Sequence, residues 1–153
     1  MDVLNRRSTR DELIASARAA AAARGLDGPL ICAMVEQESA WNPWAIRYEP
    51  KFYARYVAPL IALERLSETE ARARATSWGL LQVMGQVARE HGFSGASLAE
   101  LCDPMCGLEL GCKVFGVMLA AETGDVARAL RRWNGGARPE YAAEVLARAE
   151  TCR

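Results

Sequence analysis

Apolar residues recur three and four positions apart along most of the chain, and the strict alternation of a half-buried strand is nearly absent. Ser8 and Thr9 stand three residues before Asp11 and Glu12, forming two overlapping capping boxes. A helix is expected to follow as far as Arg24, with Gly25 as its stop. Its Ala-rich run is good helix former and carries no role of its own. Asp27-Gly28-Pro29 reads as turn, N-cap and first-turn proline of a second helix, which ends before Asn42-Pro43. Residues 44–58 mix aromatics with charge and alternate poorly. They are expected to be irregular, with a helix from near Lys51 broken at Pro59. ETEARARA (68–75) is a charged helical piece or a flap. Ser77 is the expected cap of a segment, WGLLQVMGQVAREHG, whose pattern is helical. Gly79 and Gly85 inside it cost about 1 kcal/mol each relative to Ala and ask for a reason. After a connector from Phe93 to Ala99, Asp103-Pro104 opens an apolar helix reaching Ala121. Gly124-Asp125 caps ARALRRW, NGGARP is a loop, and a last helix runs from Glu140 to Ala149. The pattern predicts a mainly α fold: a single domain over residues 1–153, with about seven to nine helices of ordinary length and little or no β.

Composition narrows the picture. Hydrophobic residues make up 51% of the 153, enough to build a core and to exclude disorder. Lys plus Arg and Asp plus Glu number 19 each, so net charge points to no nucleic acid and no anionic membrane surface. A neutral or mixed-charge substrate such as a glycan remains compatible. The N-terminal stretch MDVLNRRSTRDELIASARAAAAARG has no apolar core of an export signal, and no apolar run approaches the roughly 20 residues of a bilayer span. The expectation is a soluble protein without membrane insertion, exported if at all by a route other than Sec. The five cysteines, Cys32, Cys102, Cys106, Cys112 and Cys152, form no CxxC pair, and the chain has one histidine, His91. The spacing of Cys102, Cys106 and Cys112 is loose for zinc, so no metal is expected; buried free thiols are the plainer reading, and a single disulfide among these three is the alternative in an oxidising compartment.

The second helix carries VEQESAWNP, Val35 to Pro43, with two glutamates two residues apart. On a wheel of about 100° per residue with Leu30 at zero, Ile31, Met34 and Val35 fall near 100°, 40° and 140°. They form the buried stripe. On the same wheel of about 100° per residue, Glu38 falls near 80°, inside the stripe, and Glu36 near 240°, on the opposite face. Glu36 is therefore the ordinary solvated acid. Glu38 is a carboxyl on the core face at the negative end of a helix. Desolvation and the helix dipole both favour its protonated form, which is what a general acid needs. The plainer alternative is a helix-end glutamate pointing to water or paired with an arginine.

Other stretches bear on that choice. SWGLLQVM (77–84) holds a Gln in an apolar segment, suited to amide and hydroxyl groups of a sugar or to a satisfied core position. Trp133-Asn134-Gly135-Gly136 sets an aromatic and an amide on a flexible turn. Trp41, Trp44, Tyr48, Phe52, Tyr53 and Tyr56 crowd the region after Glu38, where aromatics stack on sugar faces or fill core.

In order, these motifs resemble the lytic transglycosylase family, the SLT-type domain of the lysozyme-like superfamily. The matching residues are Glu38-Ser39 with Asn42-Pro43, Gly79-Leu80-Leu81-Gln82-Val83-Met84, Asp103-Pro104 with Gly111, Trp133-Asn134-Gly135-Gly136, and Tyr141 in EYAAEVL. Each is weak alone; their order and rough spacing agree over residues 10–150. The resemblance implies a lysozyme-like fold with a cleft and no cofactor. It also implies cleavage of the β-1,4 bond between N-acetylmuramic acid and N-acetylglucosamine in peptidoglycan. Glu38 matches the single catalytic acid, which protonates the glycosidic oxygen and then acts as base on the muramic C6 hydroxyl, leaving a 1,6-anhydro end. The substrate's acetamido group stabilises the intermediate in that scheme, so no second carboxylate is needed. Ser39, Gln82, Met84, Asn134 and Tyr141 match substrate-binding or acid-holding positions.

Two departures stand out. Trp133 occupies a place where Tyr is usual, so a hydroxyl contact is expected to be lost there. The insert from Trp44 to Thr76 is long and contains Arg47-Tyr48-Glu49-Pro50, which resembles a segment of some phage-type muramidases. Glu49 is thus a candidate substrate-binding residue and second carboxylate. Facing Glu38 across roughly 6.5–9.5 Å, it would activate water and make the enzyme an inverting hydrolase; beside Arg47 it is otherwise a surface acid. A goose-type muramidase is accordingly the enzymatic alternative, and a glycan-binding or virion structural module the non-enzymatic one. Action in the periplasm or cell wall after non-Sec release fits an endolysin working with a holin, a secretion-associated enzyme, or part of a virion assembly.

Overall fold

The computed structural model describes residues 8–153. The first seven residues lie outside that description, and with them the start of both the N-terminal stretch read for an export signal and the 1–153 span. Helix α1 (Arg10–Ala22) begins at Thr9, which uses one of the two capping boxes: its hydroxyl accepts from Glu12 N, and the Glu12 carboxylate accepts from Thr9 N. Asp27 caps α2 (Gly28–Ser39) by accepting from Leu30 N, with Pro29 in the first turn. Residues Leu30 to Val35 are all buried, so α2 is enclosed on every side over its first two turns rather than along one stripe.

The remaining elements are β1 (Ile46–Tyr48), α3 (Pro50–Phe52), a π-helical turn (Tyr53–Val57), α4 (Leu60–Glu64) and α5 (Glu68–Arg74). After them come β2 (Thr76–Trp78), β3 (Val83–Met84), α6 (Gly85–Glu90) and a 3-10 turn (Leu98–Cys102). The chain ends with α7 (Pro104–Ala121), α8 (Val126–Trp133) and α9 (Tyr141–Thr151). The protein is mainly α, with one small antiparallel sheet ordered β1-β2-β3. Ile46 lies opposite Trp78, and Ser77 opposite Met84.

The main core joins α1, α2, α7, α8 and α9, with α2 packed on α1 and α9. Contrary to the expectation that no apolar run nears the length of a bilayer span, α7 is, at 18 residues, long and apolar enough to cross a membrane by length and composition alone. Its Leu108, Leu110, Cys112, Val114 and Phe115 are instead buried in this core. A smaller cluster of Val57, Ala71 and Ala75, covered by Phe52, Tyr53, Ile61 and Leu66, holds the 50–75 insert together.

The sheet corrects the helix expected after Ser77. Gly79 and Gln82 both have positive φ, +70° and 48°, so the chain turns there and helix starts only at Gly85. The reason for Gly79 is steric: a Cβ would lie 2.3 Å from the Leu101 carbonyl oxygen. Ser77 caps nothing; its hydroxyl donates to Gln82 Oε1 at 2.9 Å. The five cysteines are free, three buried and two half-buried. Burial pushes the Cys112 thiol up to about 11. Among the described residues, no three His, Cys, Asp or Glu side chains gather as a metal-binding group.

Candidate active site

The end of α2 is built sharply. Ala40 and Trp41 are both left-handed, φ 48° and 65°, a conformation costing about 1 kcal/mol or more per non-glycine residue. Burial of the Trp41 indole offsets that cost, and the Arg10 guanidinium lies 5.7 Å from its ring. Arg10 also pairs with Glu36 at 2.6 Å. Glu36 is thus on the face the wheel gave it, a quarter exposed and tied to α1 rather than fully solvated.

Glu38 turns the other way, between α8 and α9. Its Oε1 accepts two hydrogen bonds, from Trp133 Nε1 at 3.0 Å and from the Tyr141 hydroxyl at 2.5 Å. Its Oε2 accepts none. Among the described residues no partly or fully buried side chain keeps a fully buried oxygen without a partner, so Oε2 retains contact with solvent. Burial pushes the Glu38 carboxyl above its ordinary value, against the pull of the Tyr141 and Trp133 hydrogen bonds and the Arg47 charge. Tyr141 is itself buried, and burial with the adjacent Glu38 raises its hydroxyl far above the usual range, so it stays a neutral donor.

Trp133 offers no hydroxyl where Tyr is usual, and its indole N–H donates to the Glu38 carboxyl instead. Phe115 packs edge-on against the indole, centroids 5.9 Å apart, and helps hold it in place. A strut fixes the two donors relative to the acid. Arg138, in the loop between α8 and α9, donates to both oxygens of Glu144 at 2.8 and 2.7 Å. Glu144 also accepts from Gln37 Nε2 at 3.0 Å, and Gln37 Oε1 accepts from Arg148 at 3.0 Å. Gln37 is the residue before Glu38, so α2, α9 and the loop are clamped beside the carboxyl. Trp133 stood out in the sequence only as a motif position where Tyr is usual, and Gln37 not at all; no local signal marks either as a neighbour of Glu38.

A family model, the transglycosylase SLT domain, matches residues 15–149. The chain belongs to that family. No curated protein and no solved structure matches it. Membership supports a peptidoglycan lytic transglycosylase type of activity in general: a lysozyme-like domain that binds and degrades cell-wall peptidoglycan.

The other motif residues of the SLT domain are placed less directly. Ser39 Oγ donates back to the Val35 carbonyl at 3.2 Å. Gln82 uses its amide on the protein: Nε2 donates to the carbonyls of Ala45 and Gly79, at 2.8 and 2.9 Å, and Oε1 accepts from Ser77. Gln82 therefore knots the β2–β3 turn to the strand-entry loop. Met84 is half-buried at the start of α6, across the sheet from Ser77. Asn134 ends α8, and its Nδ2 donates to the Arg138 carbonyl at 3.2 Å. Glu49 pairs with Arg47 at 2.6 Å. Trp44, Tyr48 and Tyr56 are exposed, whereas Trp41 is core and Phe52 and Tyr53 cover the small cluster. A hollow of about 410 Å³ lined by Arg24, His91, Phe93, Glu100, Glu109 and Lys113 includes neither Glu38 nor these residues.

Proposed function

We propose that Glu38 is the general acid and base of this SLT domain and that the product carries a 1,6-anhydro-muramic end. The observation that carries this reading is the two-sided environment of one carboxyl. Oε1 is held by two buried donors, Oε2 retains contact with solvent, and burial favours the protonated form. Such a group gives a proton to a leaving glycosidic oxygen near neutral pH and takes one back once ionised. The bond between C1 and the glycosidic oxygen breaks, the C6 hydroxyl closes on C1, and its proton returns to Glu38. Gln82 and Met84 shape the wall beside the sheet, Ser39 and Asn134 flank the acid, and Trp44 and Tyr48 offer exposed rings to sugar faces.

The hydrolytic alternative needs Glu49 to hold a water. Its pairing with Arg47 at 2.6 Å makes it the weaker reading, because one of its oxygens is already engaged by a guanidinium rather than turned to a water. Mass spectrometry of digested cell wall separates the two: anhydro-muropeptides support the lyase, reducing muramic ends the hydrolase. Glu38→Gln should abolish wall lysis, by on the order of a thousandfold or more in kcat, while Glu36→Gln should change it little. Persistent lysis in Glu38→Gln would overturn this assignment, whereas a parent protein that binds chito-oligosaccharide without lysing the wall would favour a glycan-binding or virion structural module. Release beside a holin, through a secretion apparatus or from a virion assembly all place such an enzyme at the periplasmic wall.

A further inference from the structure

We propose that Trp133 is a positioning residue that decides which oxygen of Glu38 carries the transferable proton, keeping Oε1 an acceptor in both protonation states so that the proton leaves and returns only through Oε2. The proposal rests on Glu38 being the acid. It starts from the chemistry of the two donors that converge on Oε1. A tyrosine hydroxyl both donates and accepts. With Tyr141 alone, a proton on Oε1 could be accommodated by reversing that hydroxyl, and the acid would have two protonated forms. One of them would bury the proton away from the substrate. An indole N–H only donates. It needs an acceptor oxygen, and the hydroxyl oxygen of a carboxylic acid is the poorer acceptor of the two. Trp133 therefore makes Oε1 the carbonyl oxygen and leaves the proton to Oε2, the oxygen in contact with solvent.

The arrangement serves both halves of the reaction without moving the carboxyl. In the first, the Oε2–H bond breaks as the glycosidic oxygen gains the proton, and negative charge appears on a carboxylate whose Oε1 already accepts two hydrogen bonds. In the second, the C6 hydroxyl gives its proton to Oε2 as its oxygen bonds to C1. The charged and donor groups that act on Glu38 come from three elements: Tyr141 on α9, Trp133 on α8 and Arg47 on β1. Arg47 is turned to Glu49, so the two donors on Oε1 are the groups that distinguish one oxygen from the other.

The test uses protein with 13C-labelled glutamate, the Glu38 carboxyl being assigned by its loss in Glu38→Gln. Trp133→Phe keeps a ring against Phe115 but removes the donor. Its Glu38 titration midpoint should rise by about one pH unit, the carbonyl stretch of the protonated acid should move to higher frequency, and kcat should fall about tenfold with KM little changed. Trp133→Tyr restores a donor and should return the midpoint toward the starting value. Benzothienylalanine at position 133, which copies the indole without its N–H, should repeat the Trp133→Phe shift and covers the case in which that variant folds poorly. A midpoint and carbonyl frequency unchanged on loss of the N–H would overturn the proposal. The titration needs no substrate, so it stands or falls separately from the Glu38→Gln lysis test.

Discussion

A glutamate enclosed between α8 and α9 is unfavourable when charged, and the pH dependence of stability should show it. The folded state holds Glu38 above its ordinary value, so it binds the proton more tightly than the unfolded chain does. Stability linked to this group is fullest below the unfolded value of about 4.3 and is lost as pH rises through the raised folded value. Gln keeps an acceptor for Trp133 and Tyr141 without the charge. Glu38→Gln should therefore melt above the parent protein at pH 8, with the difference shrinking toward zero near pH 4, as followed by thermal denaturation. The same raised value sets the activity profile: wall lysis should decline on the alkaline side as Glu38 loses its proton. Gly79 is a second decisive single residue. At φ +70° with no room for a Cβ against the Leu101 carbonyl, Gly79→Ala should cost on the order of 3 kcal/mol in urea unfolding, whereas Gly124→Ala, with open space around its Cβ, should show only the backbone strain.

At the level of elements, the 50–75 insert is joined to the sheet and to α6 by a network of charges more than by its small apolar cluster. Arg74 pairs with Glu64 at 2.6 Å and with Glu70 at 3.0 Å. Arg89 of α6 reaches Glu70 at 2.8 Å and donates to the carbonyls of Phe93 and Gly95. Burial alone would push Glu70 up, but the hydrogen bonds and charges of Arg89 and Arg74 together outweigh it and hold the carboxyl below its ordinary value. A depressed carboxylate stabilises the fold above the unfolded value of about 4.3 and ceases to as pH falls through its lower folded value. Glu70→Gln should cost about 1–2 kcal/mol at pH 7 and nearly nothing at pH 2, measured by chemical denaturation. An equal cost at both pH values would show that the residue acts by packing instead.

Across the whole molecule, the acid and its two donors come from three helices that meet only when the core closes. The Arg138–Glu144–Gln37–Arg148 chain links α2 and α9 to the loop that follows α8, on the rim of the site. It is largely exposed, so its contribution to stability is small; its contribution is to hold orientation. Arg138→Ala should lower kcat by about three- to tenfold with KM and melting temperature little changed, in turnover assays on purified peptidoglycan. Restoration by Arg138→Lys would be incomplete, because an ammonium does not span both oxygens of Glu144.

Much of this was legible in the residues themselves. Helical periodicity, the caps at Thr9, Asp27, Asp103 and Asp125, and Pro29 and Pro104 are local signals, and a helix of fixed pitch put Glu38 and Glu36 on different faces before any contact was known. The order of the motifs pointed to the family. What lay beyond reach was everything set by residues far apart in the chain. Helical spacing in SWGLLQVM concealed a turn because the Leu101 carbonyl, not the local pattern, demands a left-handed glycine at Gly79. Gln82 read as a sugar ligand or a satisfied core polar group, and the partner that ties its amide into the fold, the Ala45 carbonyl, lies 37 residues away. Trp133 read as a lost contact because nothing local shows that its N–H arrives 3.0 Å from a carboxyl 95 residues earlier. Sequence settled which acid faces inward, since helix geometry depends on neighbours alone; only tertiary packing decided which of its oxygens is held and which is free, since that depends on what the other helices bring.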